Sequence, residues 1–85
     1  MDAGDLSEIR KFVERILADR DDHAPLDDEG SLVKSGRLDS LSVVKLVTFL
    51  ESRFAVDFAK IEFDLERFDS IVEIAAMVEE SRRLA

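Results

Sequence analysis

A serine hydroxyl lies where a long polar loop meets the predicted second helix of the chain. The segment Gly36–Leu41 reads Gly-Arg-Leu-Asp-Ser-Leu and brings Ser40 to the start of that helix, where its hydroxyl should be exposed. The N-terminus of a helix offers free N–H groups and the positive end of the helix dipole, which favour a phosphate attached there. Asp39 places a carboxylate beside the hydroxyl, where it could help to bind a metal ion and a modifying enzyme. Ser40 is therefore the first candidate for covalent modification.

The alternative for Ser40 is a purely structural role, because Ser and Asp are the commonest residues at helix caps. A second Asp-Ser pair, Asp69 and Ser70, precedes the last predicted helix. Ser70 is followed three residues later by Glu73, which completes a capping box, whereas the residue three after Ser40 is Val43. Capping thus accounts for Ser70 fully and for Ser40 less well.

The sequence offers few residues whose type and spacing could form a catalytic or metal-binding site. His23 is the only histidine and stands beside Asp21 and Asp22 in a polar loop, so we expect a solvated side chain rather than a base or a ligand. Residues 19–29 hold six acids but have Ala24 where a calcium loop needs its glycine. The chain has no cysteine, which excludes thiolate metal sites and cysteine nucleophiles. We predict no catalytic residue and no metal site, and hence a protein that is not an enzyme.

The composition predicts one small helical domain. The 85 residues, 46% of them apolar, suffice for one core, and we assign residues 1–85 to a single domain. Only three glycines and one proline interrupt helix-compatible residues, which favours an all-α fold. The formal charge of −8 disfavours a nucleic-acid partner and favours encounters with basic protein patches. No apolar run is long enough to span a membrane and no signal-peptide pattern is present, so we expect a cytoplasmic protein.

The spacing of apolar residues predicts three long helices and one short one. Their expected ranges are about Leu6–Ala18, Ser40 or Leu41 to Phe54, Ala59–Glu66, and Ser70 to Arg82 or Arg83. Asp5 and Glu8 resemble a capping box for the first helix. The connections are long but carry apolar anchors, so we expect them to be packed onto the core. These anchors are Leu26, Leu32, Val33 and Leu38 in the first connection and Val56, Phe58, Ile61, Phe63, Leu65 and Phe68 in the second.

The second helix carries more apolar side chains than one core face needs. Its expected core stripe consists of Val43, Leu46, Val47, Leu50 and Phe54. Leu41, Val44 and Phe49 lie beyond that stripe. Surplus apolar surface of this kind often binds a ligand or a partner.

The whole pattern resembles the acyl carrier proteins. The resemblance rests on four features: the Gly-x-x-Asp-Ser-Leu segment, the apolar helix ending in Glu51–Phe54, the acidic composition and the Phe68–Ile71 start of the last helix. The resemblance implies a four-helix bundle and a phosphopantetheine arm on Ser40. A phosphopantetheinyl transferase using magnesium would attach the arm from coenzyme A, and the arm's thiol would carry cargo as a thioester.

The same resemblance suggests roles for other residues of the second helix. Asp39 and Leu41 match the residues flanking the modified serine, and Val44 and Thr48 match positions that face partner enzymes. It implies as partners a cargo-loading ligase or acyltransferase and a downstream synthase or transferase of fatty-acid or polyketide type. We expect a free-standing monomer. A plain helical interaction module, in which Ser40 is only a cap, is the alternative from another class.

A narrower resemblance concerns D-alanyl carrier proteins, and peptidyl-type aminoacyl carriers look similar. Ile61–Asp64 reads Ile-Glu-Phe-Asp and is similar to a segment of D-alanyl carriers that contains Glu-Phe-Asp after an apolar residue. Leu41, however, is typical of acyl carriers, whereas D-alanyl carriers tend to have Phe or Met there. The cargo is therefore left open between acyl and aminoacyl groups.

The charge of the second helix departs from that of fatty-acid carriers, which usually present an acidic helix to basic partners. Here Lys45, Glu51 and Arg53 sum to +1, and Lys45 and Arg53 occupy positions of two family acids. We therefore expect Lys45 and Arg53 to contact partners of a dedicated pathway rather than those of housekeeping fatty-acid synthesis.

Overall fold

Three α-helices and one short 3-10 helix form the regular structure of the chain. The computed structural model describes residues 2–84. Helix α1 spans Ala3–Asp19, α2 spans Ser40–Phe54, the 3-10 helix spans Leu65–Phe68 and α3 spans Ile71–Leu84. No strand occurs among these residues, and the predicted all-α class with its long first loop is confirmed. Within residues 2–84, every helix is too short or too polar to cross a membrane.

Helix α1 begins earlier than the sequence pattern predicts. Asp2 is the N-cap, and its carboxylate accepts a hydrogen bond of 2.8 Å from the backbone N–H of Asp5. Asp5, the predicted cap, lies in the first turn, and its carboxylate binds Arg82 near the end of α3 at 2.8 Å. The capping box assigned to Asp5 and Glu8 is therefore wrong, because an equally good cap stands just upstream.

Helices α1 and α2 lie side by side in opposite directions. Three contacts join them in order along their length: Arg20–Asp39, Phe12–Phe49 and Glu8–Arg53. The first is an ion pair of 2.5 Å, the second stacks two rings with centroids 4.1 Å apart, and the third is a pair of bonds of 2.5 and 2.6 Å. Because residue numbers fall along α1 as they rise along α2, the surface between the helices runs from the Ser40 end to the Phe54 end.

The core lies between one face of each α-helix and the anchors of the connections. Its members from the helices are Ile9, Val13, Ile16, Leu17, Val43, Leu46, Leu50, Phe54, Ile71, Ile74, Met77 and Val78. The i, i+3, i+4 spacing of these residues is what predicts the helices from the sequence. Val47 and Phe49, one placed in the predicted stripe and one beyond it, are both only half-buried against this core.

The first connection, residues 20–39, is fastened to the start of α3 by Asp69. The Asp69 carboxylate accepts hydrogen bonds from the Ser31 hydroxyl at 2.9 Å and from the backbone N–H groups of Val33 and Lys34 at 2.9 and 2.8 Å. The backbone N–H of Leu32 donates to the Asp69 carbonyl at 2.6 Å. The predicted anchors are buried or half-buried: Leu26, Leu32, Val33 and Leu38. The long loop is therefore an ordered part of the domain, as predicted.

The second connection differs from the prediction at two of its anchors. Phe63 and Leu65 are 53% and 44% exposed, whereas Phe68 is fully buried. The 3-10 helix begins only at Leu65, because Asp64 caps it by accepting from the Glu66 N–H at 3.0 Å. Phe68 fills the core position, and the Phe63 ring lies against it from outside with centroids 5.5 Å apart. The short helix predicted at 59–66 is therefore misplaced, and Phe63 and Leu65 are not core anchors.

Candidate functional site

Ser40 is the first residue of α2 and is exposed. Its hydroxyl makes no hydrogen bond to any residue within 2–84. The cap of α2 is Asp39, whose carboxylate accepts from the backbone N–H of Ser42 at 2.8 Å. Leu41, the next residue, is 64% exposed. The Ser40 hydroxyl is thus available for reaction, because Asp39 and not Ser40 caps the N-terminus of the helix.

The second Asp-Ser pair has the opposite division of roles. The Ser70 hydroxyl accepts from the backbone N–H of Glu73 at 3.1 Å, and Ser70 is buried. Asp69 is occupied by the first loop and does not cap α3. The interpretation of Ser70 as a structural cap is confirmed, and Ser40 does not share that role.

Two arginines hold the segment that precedes Ser40. Arg37 donates from Nε to Asp22 at 2.8 Å and also reaches the carbonyl oxygens of Ala24 and Pro25 at 3.1 and 3.2 Å. Gly36, just before it, has a φ of +84°, a conformation that favours glycine. Arg20, at the end of α1, donates to Asp39 at 2.5 Å. The first loop and the Gly36–Leu41 segment therefore restrain each other around Ser40.

The remaining candidates predicted from the sequence are His23 and the acidic residues of the first loop. His23 is 70% exposed and lies 3.3 Å from Asp21, in keeping with a solvated loop side chain. Within residues 2–84, no group of three or more acidic or histidine side chains is placed to hold a metal ion. The acidic side chains of the first loop make separate contacts, and Asp22, for example, pairs with Arg37.

The residues predicted to face partners are not all on one surface. Val44 and Lys45 are exposed, and the Thr48 hydroxyl donates to the Val44 carbonyl at 3.1 Å. Together they line an open groove of about 440 Å³ between α1 and α2. Arg53 is different, because Glu8 binds it with two hydrogen-bonded contacts and its guanidinium lies 5.2 Å from the Phe54 ring centroid. Arg53 is thus held against α1.

The Asp39 carboxylate is strongly stabilised in its ionised form. Its pKa is lowered from 3.8 to about 2, first by the backbone N–H of Ser42, then by the Ser42 hydroxyl and by Arg20. A pKa that is depressed on folding adds stability above the unfolded value, and that stability is lost as the pH falls towards the folded value. The contribution of Asp39 should therefore be complete above about pH 4 and disappear as the pH approaches 2.

We expect the carboxyl carbon of Asp39 to titrate with a midpoint near pH 2 in an NMR titration. Arg20→Gln should raise that midpoint only in part, since the Ser42 N–H is the larger cause. A midpoint close to the ordinary 3.8 in the wild-type chain would contradict the observed cap.

A family model and a known protein each match most of this chain. The family model described as "Phosphopantetheine attachment site" matches residues 7–78 of this chain. A protein named "D-alanyl carrier protein" from Lacticaseibacillus rhamnosus is 36% identical over 76 residues, which cover 87% of this chain and 94% of that protein. No solved structure matches the chain significantly.

Proposed function

We propose that this chain, which belongs to the phosphopantetheine-attachment family of carrier proteins, holds an aminoacyl group as a thioester on an arm attached to Ser40. A carrier of this family is not an enzyme and bears phosphopantetheine covalently. Membership therefore favours the carrier function over a plain helical interaction module. What is proposed beyond membership is the attachment residue, the class of cargo and the pathway.

The observation that carries the assignment of Ser40 is its exposed, unpartnered hydroxyl at the start of α2, beside a cap made by another residue. In the attachment step the hydroxyl oxygen attacks the β-phosphorus of coenzyme A, a phosphodiester forms and the adenosine bisphosphate leaves. The hydroxyl proton goes to a base of the transferase. The N–H groups at the start of α2 suit the negative charge of the new phosphodiester.

The Arg20–Asp39 pair supports the same assignment. Asp39 is ionised under ordinary conditions and is fixed by its bonds to Ser42 and Arg20. A fixed carboxylate beside Ser40 can serve a magnesium-dependent transferase as a recognition element without disturbing the helix. Leu41, which is 64% exposed, offers apolar contact on the other side of the serine.

The aminoacyl cargo is favoured by the relative named "D-alanyl carrier protein". The Ile61–Asp64 segment, which resembles D-alanyl carriers, exposes its Phe63 ring and so is available to a partner. An acyl cargo of fatty-acid or polyketide type is the second candidate and rests on Leu41. Lys45 weighs against it, because an exposed cation stands where partners of fatty-acid carriers seek an acid. We place the protein in a dedicated cytoplasmic pathway with an adenylating ligase as its loading partner.

Loading experiments distinguish the two cargo classes. The phosphopantetheine-bearing protein should gain the mass of one alanyl group when it is incubated with ATP, D-alanine and a D-alanine-activating ligase. The bond should be cleaved by hydroxylamine, as a thioester is. Rapid malonyl transfer by a fatty-acid malonyl transferase, together with no aminoacyl loading, would return the protein to ordinary fatty-acid synthesis.

A further inference from the structure

Cations without acidic partners are concentrated on one side of the molecule. The chain has 12 Lys and Arg residues against 20 acids, so partners are abundant. Within residues 2–84, four of these cations make neither an ion pair nor a side-chain hydrogen bond and have no resolved electrostatic partner: Lys11, Arg15, Lys45 and Lys60. Two of the four, Arg15 and Lys45, line the groove between α1 and α2. Lys11 lines a neighbouring pocket that shares Phe12, Arg15 and Phe49 with the groove.

This arrangement is not explained by stability. Lys11 and Arg15 lie four residues apart on α1, and like charges at that spacing repel each other. Arg15 and Lys45 face the same groove from α1 and α2. Exposed ion pairs contribute little to stability, so the fold does not need partners for these cations. Within residues 2–84 they remain available to carboxylates of another protein.

The floor of the groove is apolar. The apolar side chains that line it are Phe12, Ile16, Val44 and the half-buried Phe49. The Phe12 and Phe49 rings are stacked on each other. The groove is a concave channel between two antiparallel helices rather than a protruding surface. A ridge of apolar side chains fits such a channel, and cations at its rim fit carboxylates beside that ridge.

The groove is close to the proposed attachment site. Val44 and Thr48 follow Ser40 at intervals of four residues, so they lie on the same face of α2. Asp19, a carboxylate at the groove, belongs to the end of α1 that the Arg20–Asp39 pair joins to the start of α2. Lys45, five residues after Ser40, also lines the groove, so a cation lies at the part of the groove nearest to Ser40.

We propose that this groove, defined by Phe12, Arg15, Val44, Lys45 and Phe49, docks an amphipathic helix of a partner protein whose apolar ridge is flanked by Asp or Glu. The carboxylates pair with Arg15, Lys45 and Lys11, and the apolar ridge covers the two stacked rings. The proposal rests on the carrier function only in one respect, namely that the bound protein is one that acts on the group held at Ser40. It reverses the charge pattern expected for fatty-acid partners.

Two matched synthetic helices test the groove with the full unmodified chain. Both have about 18 residues and the same leucine ridge, and they differ only in carrying Glu or Lys beside it. The Glu helix should shift the NMR amide signals of Val44, Thr48 and Phe49 and should bind more tightly than the Lys helix. Arg15→Glu with Lys45→Glu should weaken its binding about tenfold at low salt, where screening is weak.

Lys60→Glu is the matched control, because Lys60 is also unpartnered but lies outside the groove. It should change the affinity by less than about twofold, the size expected for a distant exposed charge. Equal binding of both helices, shifts that map away from the groove, or equal losses for the groove and control variants would overturn the proposal.

Other occupants of the groove would show themselves in the same samples. If phosphatidylglycerol vesicles shifted the groove signals and the Glu helix did not, the surface would bind a bilayer and the proposal would fail. A dimer in sedimentation that the double variant dissolved would assign the groove to a second copy and would likewise overturn it. Ser40→Ala should bind the Glu helix like the wild type, so a failure of phosphopantetheine attachment and a failure of docking are separate results.

Discussion

Ser40→Ala should abolish the attachment of phosphopantetheine while the protein remains folded. The oxygen that would form the phosphodiester is lost, and no neighbouring hydroxyl occupies the same exposed position at the start of α2, since Ser42 is buried. The helix should persist because Asp39, not Ser40, caps it. Incubation with coenzyme A and a broad-specificity transferase, followed by mass spectrometry, should show the added mass on the wild type only. Circular dichroism should show unchanged helix content.

Ser70→Ala is the matched control for this experiment. It removes the hydroxyl that accepts from the Glu73 N–H and should destabilise the protein by about 1 kcal/mol, as the loss of a cap does. Attachment at Ser40 should be unaffected. Modification that persists in Ser40→Ala, or that is lost in a folded Ser70→Ala, would show that the attachment residue has been wrongly assigned.

Phe68→Ala should lower the free energy of unfolding by about 3–5 kcal/mol, the usual loss for a buried aromatic ring. Phe68 is fully buried and contacts the rings of Phe58 and Phe63. It also ends the 3-10 helix directly before Asp69, which fastens the first loop. Urea denaturation followed by circular dichroism measures the loss. Phe68→Leu, which leaves a smaller void, keeps the experiment informative if the alanine variant does not fold.

Phe63→Ala is the control, because it removes the same side chain from a position in the same connection that is 53% exposed. Its loss should be below about 1 kcal/mol, since little apolar surface is returned to water. Similar losses of unfolding free energy for the two variants would mean that Phe68 is not part of the core. A loss of ligase loading in a stable Phe63→Ala protein would identify the ring as a partner contact.

The helices were predictable from the sequence because their information is local. Apolar residues at i, i+3 and i+4 mark the buried faces of α1, α2 and α3, and Ser70 with Glu73 marks the start of the last helix. Ser40 could be placed at the start of α2 for the same reason. The all-α class followed from these elements.

What could not be predicted depends on contacts between distant residues. Asp2 and Asp5 are both of a residue type that caps helices well, and only the folded chain shows that Asp2 is the cap and that Asp5 binds Arg82. Phe63 and Phe68 are chemically identical, and the closure of the core decides which is buried. Arg53 is paired with Glu8, 45 residues away, so the sequence could not separate it from Lys45. The same limit concealed the role of Arg37.

The separation of the cap of α2 from the hydroxyl proposed for attachment has a genetic consequence. Because Asp39 caps the N-terminus of α2, a copy that has lost the Ser40 hydroxyl should still fold and present the same helix and groove. With the proposed function, such copies should compete for the partner enzymes and deliver nothing in a cell that makes both forms. An allele lacking the serine should therefore behave as dominant over the intact gene, and its harm should rise with its expression, whereas a deletion should be recessive.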